Sequence, residues 1–239
     1  MVRVDVDQHQ HRSHSVKSAA DLVAQARVVL LDFDGPICSV FAGYPAVRAV
    51  TAALRTLETG GFEVRPEWLN LEDPHRLLIE VGTNIPEAIG IVEDALTRSE
   101  VHAINTARIT SGVIALVDQV VSAGCQWAVV SNNSHESIAR FCTREDFART
   151  PSVIVGRQPG EPHLMKPNPF ALHRALDLLK IQPHDAVFIG DSVTDIETGR
   201  AVGTSTIGYA NKPAKPKLLA AALADAVITR MDDLLNQEG

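Results

Sequence analysis

The stretch Val28-Val29-Leu30-Leu31-Asp32-Phe33-Asp34-Gly35-Pro36 constrains this chain more than any other. A short apolar run closed by a turn signal reads as a strand buried on both faces. The run ends abruptly in two acids and a Gly-Pro turn.

The same pattern returns along the chain. Residues 125–134 (CQWAVVSNNS) and 185–192 (DAVFIGDS) are apolar strands that end in small polar or acidic residues. Weaker strand candidates are 152–156, 204–210 and 225–229. A short helical pattern over 16–26 precedes the first strand, and helical patterns over 112–124, 135–147 and 168–180 lie between the strands. The first of the long ones stops at Gly124, a helix-ending residue, and the last has Pro169 near its first turn. Strands alternating with helices predict an α/β fold with a doubly wound parallel sheet. Residues 43–108 break the alternation. They contain helical stretches at 46–58 and 86–107 and no convincing strand, so they read as a second, smaller helical domain.

Composition narrows the function classes. Of 239 residues, 45% are hydrophobic and 21% charged, which excludes a disordered chain. A net charge of -7 argues against nucleic acid as the main partner. No apolar run reaches the ~18 residues of a membrane span, and the polar N-terminus lacks the apolar segment of a secretory signal. Cys38, Cys125 and Cys142 are too far apart to form a CxxC pair, and an odd count is a poor disulfide framework. A soluble, cytoplasmic protein is expected. Residues 1–15, with His9, His11 and His14, read as a disordered, solvated tail.

In an open parallel sheet, ligands bind at the carboxyl ends of the strands. There this sequence carries Asp32 and Asp34, Ser131 and Asn132, and Asp191 and Asp195. Acids gathered so closely need a cation or separated pKa values. Hard carboxylate oxygens beside a substrate phosphate suit Mg²⁺. Lys166, just before a predicted helix, is placed to offset their charge. With Asp32 and Asp34 two residues apart, one carboxylate can attack phosphorus while the other moves a proton. Each feature alone has an ordinary structural explanation; their joint occurrence does not.

Taken in order, these residues resemble the motifs of the haloacid dehalogenase (HAD)-like hydrolase superfamily. Its DxDx[TV] motif stands here as Asp32-Phe33-Asp34-Gly35-Pro36, its strand-ending Ser or Thr as Ser131, its lysine as Lys166, and its GDxxxD as Gly190 to Asp195. Pro36 departs from the usual Thr or Val. The resemblance implies a Rossmannoid core over 16–42 and 109–239 and a helical cap over 43–108. It also implies a Mg²⁺-dependent phosphatase that cleaves a small phosphorylated metabolite (a sugar phosphate, a phosphoglycolate-like acid or a nucleotide) through an aspartyl-phosphate.

The implied roles follow position by position. Asp32 is the nucleophile and Asp34 the acid and base. Ser131 and Asn132 hold phosphoryl oxygens, and Lys166 neutralises charge. Asp32, Asp34 (through its carbonyl), Asp191 and Asp195 serve the metal, with Asp195 also orienting Lys166. Caps of this kind select substrate, which makes Tyr44, Arg48, His75, Arg76 and Arg108 specificity candidates, along with Phe41. Arg157 and His163, in the loop before Lys166, either border the site or lie on plain surface. A β-phosphoglucomutase-like mutase and a non-catalytic binding protein on the same fold are the alternatives. Phosphonate hydrolysis through a cap lysine is disfavoured, because 43–108 contains no lysine.

Overall fold

In the computed structural model, which describes residues 17–145 and 147–235, the run Val28–Leu31 forms the interior strand of a parallel sheet. Its side chains alternate between two cores, as the pleat requires. Val29 and Leu31 join one apolar cluster, and Val28 and Leu30 join another on the opposite face. This is why the sequence shows an unbroken apolar run rather than an alternating one.

In chain order the elements are α1 (Ala19–Gln25), β1 (Val28–Leu31), β2 (Cys38–Ser39), α2 (Ala46–Thr59), α3 (Pro74–Asn84), α4 (Ile89–Ala103), β3 (Arg108–Ile109), α5 (Val113–Ser122) and β4 (Gln126–Val130). They continue as α6 (His135–Arg144), β5 (Ile154–Val155), α7 (Phe170–Leu179), β6 (Ala186–Gly190), α8 (Val193–Val202), β7 (Ser205–Tyr209), α9 (Lys215–Ala221) and β8 (Ala226–Ile228). The main sheet has six parallel strands in the order β5-β4-β1-β6-β7-β8. Helices α1, α5 and α6 pack on the Val29 face through Leu22, Leu116, Val117, Ile138 and Phe141. Helix α7 covers the Val28 face through Ala171, Leu172, Ala175 and Leu176. The α/β, doubly wound class expected from the sequence is therefore present.

The insert leaves after β2 and returns at β3, which pair antiparallel, Cys38 with Ile109 and Ser39 with Arg108. Between them α2, α3 and α4 build a core of their own. In α2 the buried residues Ala49, Val50, Ala53, Leu54 and Leu57 follow helical spacing and meet Trp68, Leu77, Leu78, Val81, Val92 and Leu96. Met165, from the loop ahead of α7, also packs into this cluster.

Element ends differ modestly from expectation. The helix read over 135–147 stops at Arg144, because Glu145 is already extended. The pattern over 86–107 resolves into a 3₁₀ turn, α4, and a second 3₁₀ turn. The two-residue strands β2 and β3 and the short α9 had no predicted counterpart. The tail over 1–15, with His9, His11 and His14, lies outside the described residues. Among the described residues, no helix is long and apolar enough to cross a membrane.

Leu30 is fully buried at the centre of the sheet. Leu30→Ala is expected to lower unfolding free energy by about 2–5 kcal/mol. Urea denaturation tests this; a loss below about 1 kcal/mol would contradict the packing described.

Candidate active site

The strand order decides which chain ends meet. β1 lies between β4 and β6, and Leu31 is in register with both Val129 and Ile189. The chain leaves the sheet beyond these positions at Asp32, Ser131 and Asp191, on one edge. The topology switches direction there, which is where open α/β sheets place ligands. A cavity of about 340 Å³ opens at this edge, lined by Asp32, Asp34, Ser131, Asn132, Lys166 and Asp191. His75 and Arg76, from the first turn of α3, line it from the insert.

Lys166 organises the acids. Its Nζ lies 2.9 Å from Asp32 Oδ1 and donates to Asp195 Oδ1 at 2.5 Å and to the Val130 carbonyl at 3.3 Å. Burial alone would strip the ammonium of its proton, but Asp195 and Asp32 hold it well above the ordinary lysine range. Asp195 is fully buried and serves twice. Its Oδ2 accepts from the backbone N–H groups of Asp191 and Ser192, closing the N-terminus of α8, while Oδ1 holds Lys166.

Asp32 Oδ1 accepts from the Phe33 N–H at 2.7 Å in addition to facing Lys166. Among the described residues, its Oδ2 takes no hydrogen bond. Burial pushes the Asp32 carboxyl up, Lys166 pulls it back, and Asp195 and Asp191 push it up again, to about 7. Asp34 is half-buried, and its Oδ1 accepts from the Val40 N–H at 3.0 Å. Burial raises its pKa against that hydrogen bond, and Asp191 raises it further.

Gly35 explains how the loop after β1 approaches Asp191. Its φ is +110°, a backbone region that side chains disfavour, and a Cβ there would fall 2.4 Å from Asp191 Cγ. The Gly35 carbonyl accepts from Thr110 Oγ1 at 2.6 Å, which ties this turn to the returning end of the insert. One carboxylate oxygen each from Asp32, Asp191 and Asp195 lie within 4.8 Å of one another. With Asp195 committed to Lys166 and the α8 terminus, Asp32 Oδ2 and Asp191 Oδ1 are the hard oxygens left, among the described residues, for a divalent cation. Three carboxylates face two ammonium groups, Lys166 and Lys215, so a further positive charge fits the donor set.

Two partners of Asp191 were not anticipated. Asn211 Nδ2 donates to its Oδ2 at 2.9 Å, and Lys215 Nζ contacts the same oxygen. Both follow β7, the neighbour of β6, so the rule that found the other acids also points to them.

The remaining sequence candidates sit elsewhere. Tyr44 packs edge-on against His102, with ring centroids 5.1 Å apart. Arg48 is exposed on α2, and Arg108 is exposed in β3. None of the three lines the cavity. Phe41 packs between the sheet core and the insert core, and His163 borders a separate hollow with Gly82 and Pro162. Arg157 is neither exposed surface nor cavity wall: it is buried and pairs with Glu93 and Glu100 of α4.

Three comparisons place this geometry among known proteins. A family model described as haloacid dehalogenase-like hydrolase matches residues 77–209, a span that includes Ser131, Lys166, Asp191 and Asp195. The chain is 32% identical to the N-acetylmuramic acid 6-phosphate phosphatase of Pseudomonas aeruginosa, over 51% of this chain and 53% of that protein. It is 26% identical to the phosphoglycolate phosphatase of Xylella fastidiosa, over 48% and 49% respectively. The chain thus spans about half the length of the curated relatives it matches. In fold it is similar to CbbY from Rhodobacter sphaeroides, solved in complex with phosphate, at a TM-score of 0.64 and 20% identity over 87% of this chain and 96% of that one. A hydrolase from Pseudomonas syringae gives a TM-score of 0.64 at 17% identity, over 88% and 96%.

Removing Lys166 leaves two buried carboxylates unpaired. Lys166→Met is expected to cost about 3–5 kcal/mol of stability at neutral pH. The raised pKa of Asp32 means the native state binds its proton more tightly than the unfolded chain, so the stability it contributes is present below about pH 4 and is lost as the pH rises towards 7. Without Lys166 the Asp32 carboxyl is pushed higher still, so the penalty of Lys166→Met should grow as the pH rises above 7 and level off below it. Urea titrations in chelator at several pH values measure this; a penalty that grows on acidification contradicts it.

Proposed function

This chain belongs to the haloacid dehalogenase-like hydrolase family, and on that premise we propose that it is a Mg²⁺-dependent phosphatase acting on a small phosphorylated metabolite. The observation that carries this reading is the Asp32 carboxylate, with one oxygen held by Lys166 and the Phe33 N–H and the other free beside the cavity.

In this reading Asp32 Oδ2 attacks phosphorus in line and the bond to the ester oxygen breaks. Asp34, whose burial favours its protonated form, gives its proton to the departing alcohol. As a carboxylate it then takes a proton from the water that cleaves the aspartyl-phosphate, releasing phosphate and restoring Asp32. Ser131 Oγ and the Asn132 N–H hold phosphoryl oxygens, and Lys166 balances the charge that develops on them. Asp32, Asp191 and the Asp34 carbonyl are the ligands we assign to Mg²⁺, with Asp195 in support. When bound, the ion supplies positive charge to the phosphoryl group and the nucleophile. Positioning and charge neutralisation are most of what phosphoryl transfer needs.

Residues 43–108 act as the cap and 16–42 with 109–239 as the core. A cavity of about 340 Å³ supports a small substrate. His75 and Arg76 on the cap wall favour one with an acidic group away from the ester, such as a glycolate-like acid, an acidic sugar phosphate or a nucleotide. Two relatives are named for phosphoglycolate and N-acetylmuramic acid 6-phosphate, which supports the same class. Three cysteines without disulfides support a reducing, cytoplasmic setting.

Phosphate release across a panel of phosphorylated sugars, acids and nucleotides tests the proposal. Wild type with Mg²⁺ should hydrolyse part of the panel. Asp32→Asn should release none while retaining the wild-type melting temperature to within a few degrees. EDTA should stop the reaction and added Mg²⁺ restore it. Hydrolysis by Asp32→Asn, or full activity in EDTA, overturns the assignment.

A further inference from the structure

Behind the cavity, a polar network joins the insert to the sheet. Glu93, Thr97 and Glu100 share one face of α4, at spacings of four and three residues. That face meets a single guanidinium. Arg157 Nε donates to Glu93 Oε1 at 2.6 Å, Nη2 to Thr97 Oγ1 at 3.0 Å, and Nη1 to Glu100 Oε1 at 2.5 Å. Arg157 is 5% exposed and Glu100 is 0% exposed.

The two glutamates differ in what else they touch. Besides Arg157, the contact of Glu93 is Thr97 Oγ1, which donates to its Oε1 at 3.4 Å on the same helix. Glu100 reaches the loop that follows β4. Its Oε2 accepts the Ser134 N–H at 2.9 Å, and its Oε1 accepts Asn133 Nδ2 at 3.2 Å. Its Oε1 also lies 3.5 Å from Nε2 of His75, on the cap wall of the cavity. Asn133 in turn receives Ser131 Oγ at its Oδ1, at 3.2 Å. Arg157 also donates to the Asn132 carbonyl at 3.2 Å. Asn132 closes the chain to Lys166, accepting its N–H at 2.8 Å and donating to its carbonyl at 3.3 Å. Glu100 thus touches both the loop that forms the cavity floor and the histidine in its roof.

We propose that Glu100 is a positioning residue, which sets the Ser131–Ser134 loop for phosphoryl binding and locks it to α4 of the insert. The proposal deepens the phosphatase reading and rests on it. Burial opposes a charge on Glu100, but Arg157 and His75 outweigh it and hold the carboxyl down at about 2, so it accepts hydrogen bonds across the whole neutral range. A carboxylate accepts on both oxygens at once; an amide offers one acceptor and forces a donor against Ser134 N–H or Arg157. The loop would shift by a fraction of its hydrogen-bond geometry, and a misplacement near 1 Å costs about 100-fold in rate.

The test compares Glu100→Gln with Glu93→Gln, since both remove one negative charge from Arg157. Three quantities are read: kcat and KM on the best panel substrate, inorganic phosphate affinity by titration, and the amide resonances of Asn133 and Ser134. Glu100→Gln should lower kcat/KM by about 100-fold, weaken phosphate binding and move both resonances. Glu93→Gln should stay within a few-fold of wild type in activity and phosphate affinity, even if it loses comparable stability. Equal effects of the two variants would reduce the network to plain packing and overturn the proposal, as would wild-type kinetics in Glu100→Gln.

Should Glu100→Gln not fold, Glu100→Asp replaces it: the charge on Arg157 is kept while the reach to Ser134 is shortened, and the same loss is expected. If wild type hydrolyses no panel substrate, the phosphatase reading fails by itself. Phosphate titration then decides the positioning claim: weaker binding in Glu100→Gln than in Glu93→Gln supports it, and equal binding, or no binding by wild type, overturns it.

Discussion

The placement of Lys166 between Asp32 and Asp195 is the interaction on which the rest of this structure depends. The topology forces carboxylates from β1 and β6 onto one sheet edge, where burial and mutual repulsion both oppose their charge. A single buried ammonium answers two of them. It also reaches back to the Val130 carbonyl at the end of β4, so the three strand ends are held by one side chain. That leaves Asp191, at the open side, to Asn211 and Lys215. The arrangement is lopsided: deep in the site one ammonium answers two carboxylates, whereas Asp191 at the mouth has a lysine of its own.

Much of this was legible because strand ends in a parallel sheet carry unusually direct information. An apolar run of four or five residues, bounded by turn signals and alternating with helices, fits a strand buried on both faces of such a sheet, and the residue at its carboxyl end then has a known neighbourhood. Asp32, Ser131 and Asp191 were found that way, and the structure brings all three to one cavity. Lys166 belongs to a loop, yet its position just ahead of α7 brings it to the same edge. Gly35 is the local counterpart: the pressure of its backbone on Asp191 explains why glycine stands after Asp34.

The insert was less legible, for a physical reason. Helical periodicity tells which residues of α2, α3 and α4 form a core, but not how that core is turned towards the sheet. His75 and Arg76 reach the cavity because α3 begins there, with Asp73 accepting the His75 N–H at 2.9 Å. Tyr44, Arg48 and Arg108 are of equally apt chemistry, but Tyr44 packs on His102, Arg48 is exposed on α2 and Arg108 sits in β3, away from the cavity. Strands β2 and β3 are two residues long, too short for any alternation to show. The Arg157 network joins residues 57 and 64 positions apart, and nothing local announces such a pairing. The one local sign was Glu100 itself: it falls on the apolar stripe of α4, after Val92 and Leu96, where an acid needs a buried partner.

That sign bears on how the two parts of the molecule divide their work. A sheet edge held by Lys166 supplies a rigid place for the acids, and an insert with its own core is free to vary what covers it. Such freedom would let the insert drift relative to the acids unless something buried ties them. The Arg76–Glu80 pair cannot do so, since both residues belong to α3. The Glu93–Arg157–Glu100 cluster can, because its partners are removed from water and separation would strand a charge on each side. The strength of the tie lies in the penalty for breaking it rather than in the net gain of forming it. An insert tied at α4 keeps the start of α3, and with it His75, at the wall of the cavity.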